Sequence, residues 1–446
     1  MYPSKFYLLT YIIDINKKFK LSIKSFFKSL GPGLITGASD DDPSGIATFS
    51  QAGAKFGLGM LWLALFQFPL MAVVQEMCAR IGLLKGNGLA ATIGKKYSKR
   101  VVLPIVFLLL IANTINIGAD INAMAASVKL LIPQMPLYIA SIVFTIFIIS
   151  AIILIPYKKY VKILRYLALS LFAYVATAIM VGGNSYEILL SSIIPHIEFS
   201  PEFAMMFVAL IGTSISPYLF FWQTSQEVEE EISKGKIKEI GKGNPRTTNK
   251  EIKSMRIDTL TGIGFSHFIV WSIIITTAGS LHAHGITDIQ SAEQAAKSLE
   301  PLVTSFPNAG EISKTVFALG IIGTGLLSIP VLAGSGAYAL SDVFGWKEGL
   351  NKKFGQAKSF YLVMVICGVV GLSIPFLGVN PIQALVYSAV INGIVTIPIL
   401  FVLMKIANDQ NILKESTNGY VSNIIGWLTF GIMVISTIVM FITWGK

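Results

Sequence analysis

Residues 37–57 read GASDDDPSGIATFSQAGAKFG, and the interpretation of the whole chain depends on this stretch. Three consecutive acids, Asp40, Asp41 and Asp42, lie within apolar sequence of membrane-spanning length. A carboxylate at the centre of a bilayer costs roughly 2.5–3.5 kcal/mol even on a lenient insertion scale, so the cluster needs a cationic partner. Pro43 disfavours helix at the residue before it, which predicts a spanning helix broken near its middle. Carboxylate and carbonyl oxygens at such a break suit a divalent cation.

The composition is that of a polytopic membrane protein. Of the 446 residues, 53% are hydrophobic and 13% are charged, whereas soluble domains carry about 25% charged residues. The net charge of +11 falls in loops between apolar runs, which indicates membrane orientation and not a nucleic-acid partner. Because Cys78 and Cys367 both lie in apolar spans, we expect buried thiols and neither a disulfide nor a cysteine metal site.

Apolar runs predict about eleven spanning helices. They lie at roughly 31–53, 57–82, 101–131, 136–156, 161–182, 203–226, 258–281, 314–341, 359–378, 381–405 and 422–444. Residues 31–405 would form a ten-helix core, and residues 406–446 the region of an eleventh helix. Residues 1–30 carry a short apolar run and several lysines. We interpret them as a cytoplasmic, interfacial lead-in, with a signal anchor as the alternative.

The basic residues predict the orientation of these helices. With the N-terminus in the cytoplasm, thirty of the 35 Lys and Arg residues fall in cytoplasmic segments. This distribution obeys the positive-inside rule, and it places the C-terminus outside.

The sixth span is the second irregular one. Residues 211–223 read IGTSISPYLFFWQ, where Gly212 and Pro217 bracket a patch rich in hydroxyl groups. The first and sixth spans hold corresponding positions in two halves of five helices each. Such a pair of interrupted helices is typical of a transporter built on an inverted repeat. Ordinary proline kinks, which membrane helices tolerate, are the alternative interpretation.

Polar residues of the third span, together with Met124, recur at steps of three and four, which places them on one helix face. They are Asn113, Asn116, Asp120, Met124 and Ser127. We expect Asp120 to face the interior of the bundle, as a proton acceptor, as a partner of a cation or of the tenth span, or as a purely structural hydrogen-bonded carboxyl. The tenth span has a comparable face that is a plausible but unspecific lining, formed by Ser388, Asn392 and Thr396.

Two charged segments receive simpler interpretations. Residues 227–256 open with four glutamates and continue with alternating lysine, glutamate and glycine. We interpret them as a solvated cytoplasmic loop, with the loading of cations into a cytoplasmic vestibule as the alternative. Glu76 and Arg80 lie four residues apart near the cytoplasmic end of the second span, a spacing typical of a local ion pair.

Several motifs resemble those of Nramp-family (natural resistance-associated macrophage protein) divalent metal transporters. They are Gly31-Pro32-Gly33, Asp42-Pro43-Ser44-Gly45-Ile46-Ala47-Thr48, Phe56-Gly57, Ala79-Arg80-Ile81-Gly82 and the stretches 212–223 and 317–345. The match covers nearly the whole chain in order and spacing. It implies an all-α membrane protein of eleven helices in the LeuT-type fold. That fold is a five-plus-five inverted repeat whose broken helices one and six surround the site used in alternating access.

The resemblance also assigns candidate site residues. Asp42 keeps the family's ligand carboxylate, and Thr213 falls where the family uses a backbone carbonyl. Either Asp40 or Asp41 is expected to supply a second carboxylate. Asp120 aligns with an acidic position of the family's third helix, which makes it the leading candidate for a proton relay.

Three positions depart from the family pattern and make this chain a divergent member. Gly45 stands where the family has its ligand Asn, Ser216 where it has a metal-binding Met, and Tyr218 where it has His. A thioether favours soft ions such as manganese, iron and cadmium over magnesium and calcium. Its replacement by a hydroxyl leaves an all-oxygen site, which suits Mg²⁺, or Mn²⁺ without strong selection.

The expected function is secondary transport of divalent metal cations across the cell (inner or plasma) membrane. Import of Mn²⁺ or Fe²⁺ with protons is the family default, and Mg²⁺ is the ion that the substitutions favour. The expected partners are the transported metal, the bilayer and H⁺ as a coupling ion, with no resident cofactor, nucleic acid or obligate protein partner. A transporter of the same architecture for an organic substrate such as an amino acid is the main alternative, and enzyme activity is not expected.

Overall fold

The computed structural model describes residues 31–155, 159, 169–181 and 183–443. Within these ranges the regular structure is helical throughout. Nine helical stretches of the described residues are long and apolar enough to cross a membrane. The predicted lead-in and part of the predicted fifth span (residues 161–168 and 182) lie outside the described residues, so the total of eleven spans stays a prediction.

The first half of the core contains helices α1 to α6. They are α1 (Pro32–Asp40), α2 (Pro43–Phe56), α3 (Leu61–Lys85), α4 (Lys99–Leu131), α5 (Leu137–Leu154) and α6 (Phe172–Val181). The second half and the helix after it are α7 (Pro201–Ser214), α8 (Pro217–Ser233), α9 (Asn249–Ser280), α10 (Ala309–Phe344), α11 (Lys358–Gly371), α12 (Pro381–Ala407) and α13 (Tyr420–Thr443). Shorter helices lie in the connections, at Leu89–Gly94, Ser185–Ile193, Ala292–Lys297 and Gln410–Leu413.

Two spans are broken, as the sequence predicted. The first break separates α1 from α2, and the second separates α7 from α8. At each break the residue before a proline is extended, with ψ of 172° at Asp42 and 132° at Ser216. Pro43 and Pro217 then occupy the first position of the next helix, where the missing N–H leaves no hydrogen bond unmade.

The helices pack in pairs that repeat between the two halves. Along the centre, α4 packs against its counterpart α10, and α3 packs against α9. Helix α2 packs on α9 in the same way that its counterpart α8 packs on α3, and the pair α4–α5 corresponds to α10–α11. An inverted repeat of five helices predicts this exchange of partners.

Glycines bring the broken helices into backbone contact with their neighbours. A Cβ atom at Gly37 would lie 2.2 Å from the carbonyl oxygen of Gly262, which fixes α1 against α9. A Cβ atom at Gly212 would lie 2.2 Å from the carbonyl oxygen of Ala389, which fixes α7 against α12. Small residues at helix crossings are the usual means of close packing in membranes.

The interpretation of residues 227–256 as a solvated loop is wrong at its start. Helix α8 continues to Ser233, and the side chains of Glu227, Glu229 and Glu231 are buried. Glu227 accepts a hydrogen bond from Gln223 Nε2 at 2.8 Å. Charged residues on a helix that extends beyond the apolar run resemble a loop in composition, and only the packing around α8 distinguishes the two.

Two smaller predictions hold. Arg80 Nε lies 3.1 Å from Glu76 Oε1, so the expected ion pair is confirmed. Glu76 also pairs with Arg256 of α9 at 2.9 Å, which ties α3 to α9. Cys78 and Cys367 are both buried free thiols.

Candidate functional site

The carboxylate of Asp42 lies at the first break, held by two donors. Its Oδ1 accepts a hydrogen bond from the Gly45 N–H at 2.7 Å and so caps the N-terminus of α2. Its Oδ2 accepts one from the side-chain amide of Asn116 at 2.9 Å. The side chain is buried. Because each carboxylate oxygen has a second lone pair, Asp42 can bind a cation while it keeps both hydrogen bonds.

Asn116 connects this carboxylate to α12. While its amide nitrogen donates to Asp42, its Oδ1 accepts a hydrogen bond from the Ser388 hydroxyl at 2.6 Å. The Ser388 hydroxyl also lies 3.3 Å from Ser44 Oγ. The polar faces recognised on the third and tenth spans therefore meet at the first break, although the direct contact of Asn116 with Asp42 was not predicted.

The second break faces the first across a short gap. A Cβ atom at Gly45 would lie 3.4 Å from Thr213 Oγ1, which places α7 beside the start of α2. The Ser216 hydroxyl lies 2.8 Å from the Gly212 carbonyl oxygen and 2.7 Å from that of Thr213. These carbonyls belong to the last turn of α7 and lack helical partners. Thr213, Ser216 and Gly45, all predicted to belong to the site, are thus brought together.

Tyr218 joins the two broken spans. Its hydroxyl donates a hydrogen bond to the Ser39 carbonyl oxygen at 3.0 Å and so satisfies one of the last carbonyls of α1. The observed bond is structural, and a ligand role for the Tyr218 oxygen stays a prediction.

Asp120 faces the interior of the bundle, as expected. It is fully buried, and its Oδ2 accepts a hydrogen bond from the Ser328 hydroxyl of α10 at 3.1 Å. Its Oδ1 has no hydrogen-bond partner among the described residues. The carboxyl interacts electrostatically with Asp42. Ser328, the hydrogen-bond partner of Asp120, therefore lies on the eighth span and not on the tenth. The proton-relay role of Asp120 stays a prediction.

Asp40 and Asp41 face a different helix. The Ser266 hydroxyl of α9 lies 2.8 Å from Asp40 Oδ2 and 2.9 Å from Asp41 Oδ1. Asp42 instead contacts α4, so the three consecutive acids do not point to one centre. Consistent with this arrangement, no three Asp, Glu, His or Cys side chains of the described residues form a metal-ligand group.

A narrow, mostly apolar cavity lies next to α2 and extends toward the loop after α9. It lies beside Leu385, whose carbonyl oxygen is 2.7 Å from the Ser388 hydroxyl, and beside Ile289 in the loop after α9. Its lining includes Ile46, Ala47, Ser50, Ala123, Ser127, Ile289 and Ala295.

A helical bundle with two facing helix breaks, one of them bearing a buried carboxylate, defines a class of membrane protein. In this class, ions or small solutes bind at mid-membrane between inverted repeats. The chain belongs to the family described as "Natural resistance-associated macrophage protein-like" (Nramp), which matches residues 33–443.

Relatives with curated names support this assignment. The chain is 21% identical over 429 residues to the "Divalent metal cation transporter MntH" of Caldanaerobacter subterraneus, with 95% of each chain covered. It is 25% identical over 382 residues to the protein of that name from Verminephrobacter eiseniae, with 81% of this chain and 76% of the relative covered.

Solved structures show the same fold at low sequence identity. A manganese transporter of Eremococcus coleocola, in complex with an aromatic bis-isothiourea substituted compound, has a TM-score of 0.73 and 16% identity, covering 96% of this chain and 88% of that one. Mhp1, a nucleobase-cation-symport-1 family transporter, has a TM-score of 0.55 and 12% identity, covering 93% and 91%. The predicted LeuT-type architecture is confirmed.

Proposed function

We propose that this protein transports divalent metal cations across the cell membrane by alternating access, with the ion bound between the two helix breaks. The family and the named relatives support this substrate class. The observation that carries the proposal is the buried Asp42 carboxylate, which is held by Gly45 and Asn116. An ideal Cβ position at Gly45 lies 3.6 Å from Asp42 Oδ1 and 3.4 Å from Thr213 Oγ1, which places the second break beside this carboxylate. No ion pair within the described residues involves Asp42, so its charge is available to a substrate cation.

The substrate set includes Mg²⁺, because the residues at the two breaks offer only oxygen. The ligands are the Asp42 carboxylate, the Thr213 carbonyl and the Ser216 hydroxyl. Hard oxygen ligands suit Mg²⁺, which keeps several of its waters and needs few protein ligands. Without a thioether, the site has no soft ligand that would select Mn²⁺ or Cd²⁺ strongly.

The hydrogen bond between the Ser216 hydroxyl and the Thr213 carbonyl is compatible with ion binding. The hydroxyl oxygen retains lone pairs while its proton points to the carbonyl, and the carbonyl oxygen has a second lone pair. Both oxygens can therefore bind a cation that arrives from the side of Asp42. The bond then orients the two ligands before the ion arrives.

Coupling to protons would depend on Asp120. Its carboxyl is buried, interacts with the charge of Asp42 and has one oxygen without a partner among the described residues. A divalent ion at Asp42 would favour the ionised form of Asp120 through its positive charge.

In the proposed orientation the N-terminus is cytoplasmic and the C-terminus outside.

Uptake into proteoliposomes tests the proposal. Mn²⁺ and Mg²⁺ are offered to the purified protein at matched concentration, with a pH-sensitive dye inside the vesicles and Asp42→Asn as control. We expect saturable uptake of both ions that is lost in the variant, and acidification of the vesicles if Asp120 relays protons. Absence of flux for every divalent ion would contradict the proposal and favour an organic substrate.

A further inference from the structure

We propose that Asp40 and Asp41 form a second divalent-cation site, separate from the one at Asp42, on the side of α1 that faces α9. The inference rests on the proposed function and deepens it, because it assigns a second station to the transported ion. Its basis is the position of the two carboxylates around Ser266, together with two buried oxygens that have no partner among the described residues.

The geometry separates this pair from the central site. Asp40 Oδ2 and Asp41 Oδ1 both lie within 2.9 Å of the Ser266 hydroxyl, on α9. Asp42 instead contacts Gly45 and Asn116, on α2 and α4. A hydroxyl carries a single proton, so Ser266 can donate to only one of the two carboxylates at a time. The other carboxylate oxygen at this contact is then left without a donor.

Two further oxygens point to a missing ligand. Asp40 Oδ1 and Asp41 Oδ2 have no hydrogen-bond partner among the described residues, although the residues are only 5% and 1% exposed. Buried polar atoms are nearly always paired, and an unpaired buried carboxylate carries a large desolvation penalty. In this proposal, a cation bound by the two carboxylates supplies the partner that these oxygens lack.

The charge balance favours a divalent ion at this position. Asp40, Asp41, Asp42 and Asp120 are four buried acids, and no ion pair within the described part of the chain includes any of them. One divalent ion at Asp42 offsets two negative charges, those of Asp42 and Asp120. A second divalent ion between Asp40 and Asp41 offsets the other two.

The donor set defines the chemistry of this second ion. It consists of two carboxylates and the Ser266 hydroxyl, next to the C-terminal end of α1, where the helix dipole is negative. All of these donors are hard oxygens, as Mg²⁺ and Mn²⁺ require. The second site therefore takes the same class of ion as the first.

The position along the chain indicates when the ion would occupy this site. Helix α1 precedes the break and, in the proposed topology, leads up from the cytoplasm, so Asp40 and Asp41 lie on the cytoplasmic side of Asp42. Thr36, one turn before Asp40, donates to Gln223, which in turn donates to Glu227 at 2.8 Å. Polar groups thus continue from the second site toward the cytoplasmic end of α8.

Counting bound ions tests the second site. The purified full-length protein in detergent is equilibrated with Mn²⁺ by dialysis, and bound metal per chain is measured at saturation. We expect two Mn²⁺ per chain in the wild type, one in the Asp40→Asn/Asp41→Asn double variant and one in Asp42→Asn. A single ion in the wild type, an unchanged count in the double variant, or loss of both ions in Asp42→Asn would overturn the inference.

If the Asp40→Asn/Asp41→Asn double variant does not fold, two serine variants on α9 test the second site instead. Ser266→Ala removes a neutral ligand, so we expect the weaker of the two Mn²⁺ affinities to fall about tenfold. Ser272→Ala is the matched control, because the one hydrogen bond of this buried hydroxyl among the described residues goes to the Phe268 carbonyl of its own helix. Equal affinities in the two variants would overturn the second site. If one ion binds at Asp42 and none at the second site, the proposed function still stands. If no ion binds at all, both the proposed function and the second site are contradicted.

Discussion

At both helix breaks the next helix begins with a proline, and the residue before it is Asp42 at the first break and Ser216 at the second. The side chains of these two residues make hydrogen bonds in opposite directions along the chain. Asp42 turns forward and caps α2 through the Gly45 N–H at 2.7 Å. Ser216 makes no such cap on α8 and turns back toward the Thr213 carbonyl at 2.7 Å. The first break therefore presents a carboxylate next to a helix N-terminus, whereas the second presents neutral oxygens at a helix C-terminus.

This difference assigns separate tasks to the two breaks in the proposed mechanism. The charge that attracts a divalent ion resides in the first break, while the softness or hardness of the ligand set is decided by the second. The predictions below separate these tasks, beginning with the change that should have the largest effect.

Replacing Asp42 by Asn should abolish transport while the fold persists. Asn is as good an N-cap as Asp, so α2 keeps its first hydrogen bond. Loss of the charge should lower metal affinity by about a hundredfold or more, equivalent to about 3 kcal/mol. Mn²⁺ uptake measures the effect. The counterpart variant Ser216→Ala removes only a neutral oxygen, so its metal affinity should stay within about tenfold of the wild type. Equal losses of Mn²⁺ uptake in the two variants would contradict the proposed difference between the breaks.

Restoring the family residues at both breaks should change ion selectivity. The double variant Gly45→Asn/Ser216→Met tests this. A Cβ atom at position 45 would lie 3.2 Å from the Asp40 carbonyl oxygen, so the backbone around Asp40 must shift slightly. The thioether should raise the preference for Cd²⁺ over Mg²⁺ by about tenfold or more. Competition of each ion against Mn²⁺ uptake measures this ratio.

The single variant Gly45→Asn supplies the control for that experiment. It adds an oxygen ligand without sulfur, so its preference between Cd²⁺ and Mg²⁺ should stay near that of the wild type. A gain in Cd²⁺ preference in the single variant as large as in the double variant would show that softness is not decided at the second break.

Asn116→Ala should weaken the first break without removing its charge. Asp42 would lose a donor that now lies at 2.9 Å, and we expect metal affinity to fall about tenfold. Asn113→Ala is the matched control one turn away, because Asn113 donates to the Leu332 carbonyl and to Ser335 and does not contact Asp42. Calorimetric titration with Mn²⁺ compares them, and equal affinities for both variants would argue against a positioning role for Asn116.

Tyr218→Phe should have the smallest effect on the ion. It deletes the hydrogen bond to the Ser39 carbonyl and should lower stability by about 1 kcal/mol. If the hydroxyl is only structural, thermal stability in detergent falls while the competition between Mg²⁺ and Mn²⁺ is unchanged. A change in that competition would instead place the Tyr218 oxygen among the ligands.

The breaks themselves could be predicted from sequence, because Asp42-Pro43 and Ser216-Pro217 carry a local conformational signal. The pairing of the two halves followed from their matched positions along the chain. The burial of Asp120 also followed from local information, namely the spacing of polar residues on the third span.

What the sequence could not predict depends on helix rotation and on distant contacts. Asn116 meets Asp42 only because α4 turns that residue, and not Asn113, toward the first break. Asp41 faces Ser266 because α1 ends at Asp40, an end point that composition does not specify. The burial of Glu229 on α8 was missed because its partner Tyr338 is 109 residues away along the chain.

Competition between Mg²⁺ and Mn²⁺ tests the central claim most directly. Mn²⁺ uptake into proteoliposomes containing the wild-type protein is measured while external Mg²⁺ is raised. An all-oxygen site between the two breaks predicts that Mg²⁺ inhibits at concentrations within about tenfold of those at which Mn²⁺ itself saturates. Mn²⁺ uptake that persists in a large excess of Mg²⁺ would contradict the account, because the site would then select ions by a ligand other than these oxygens.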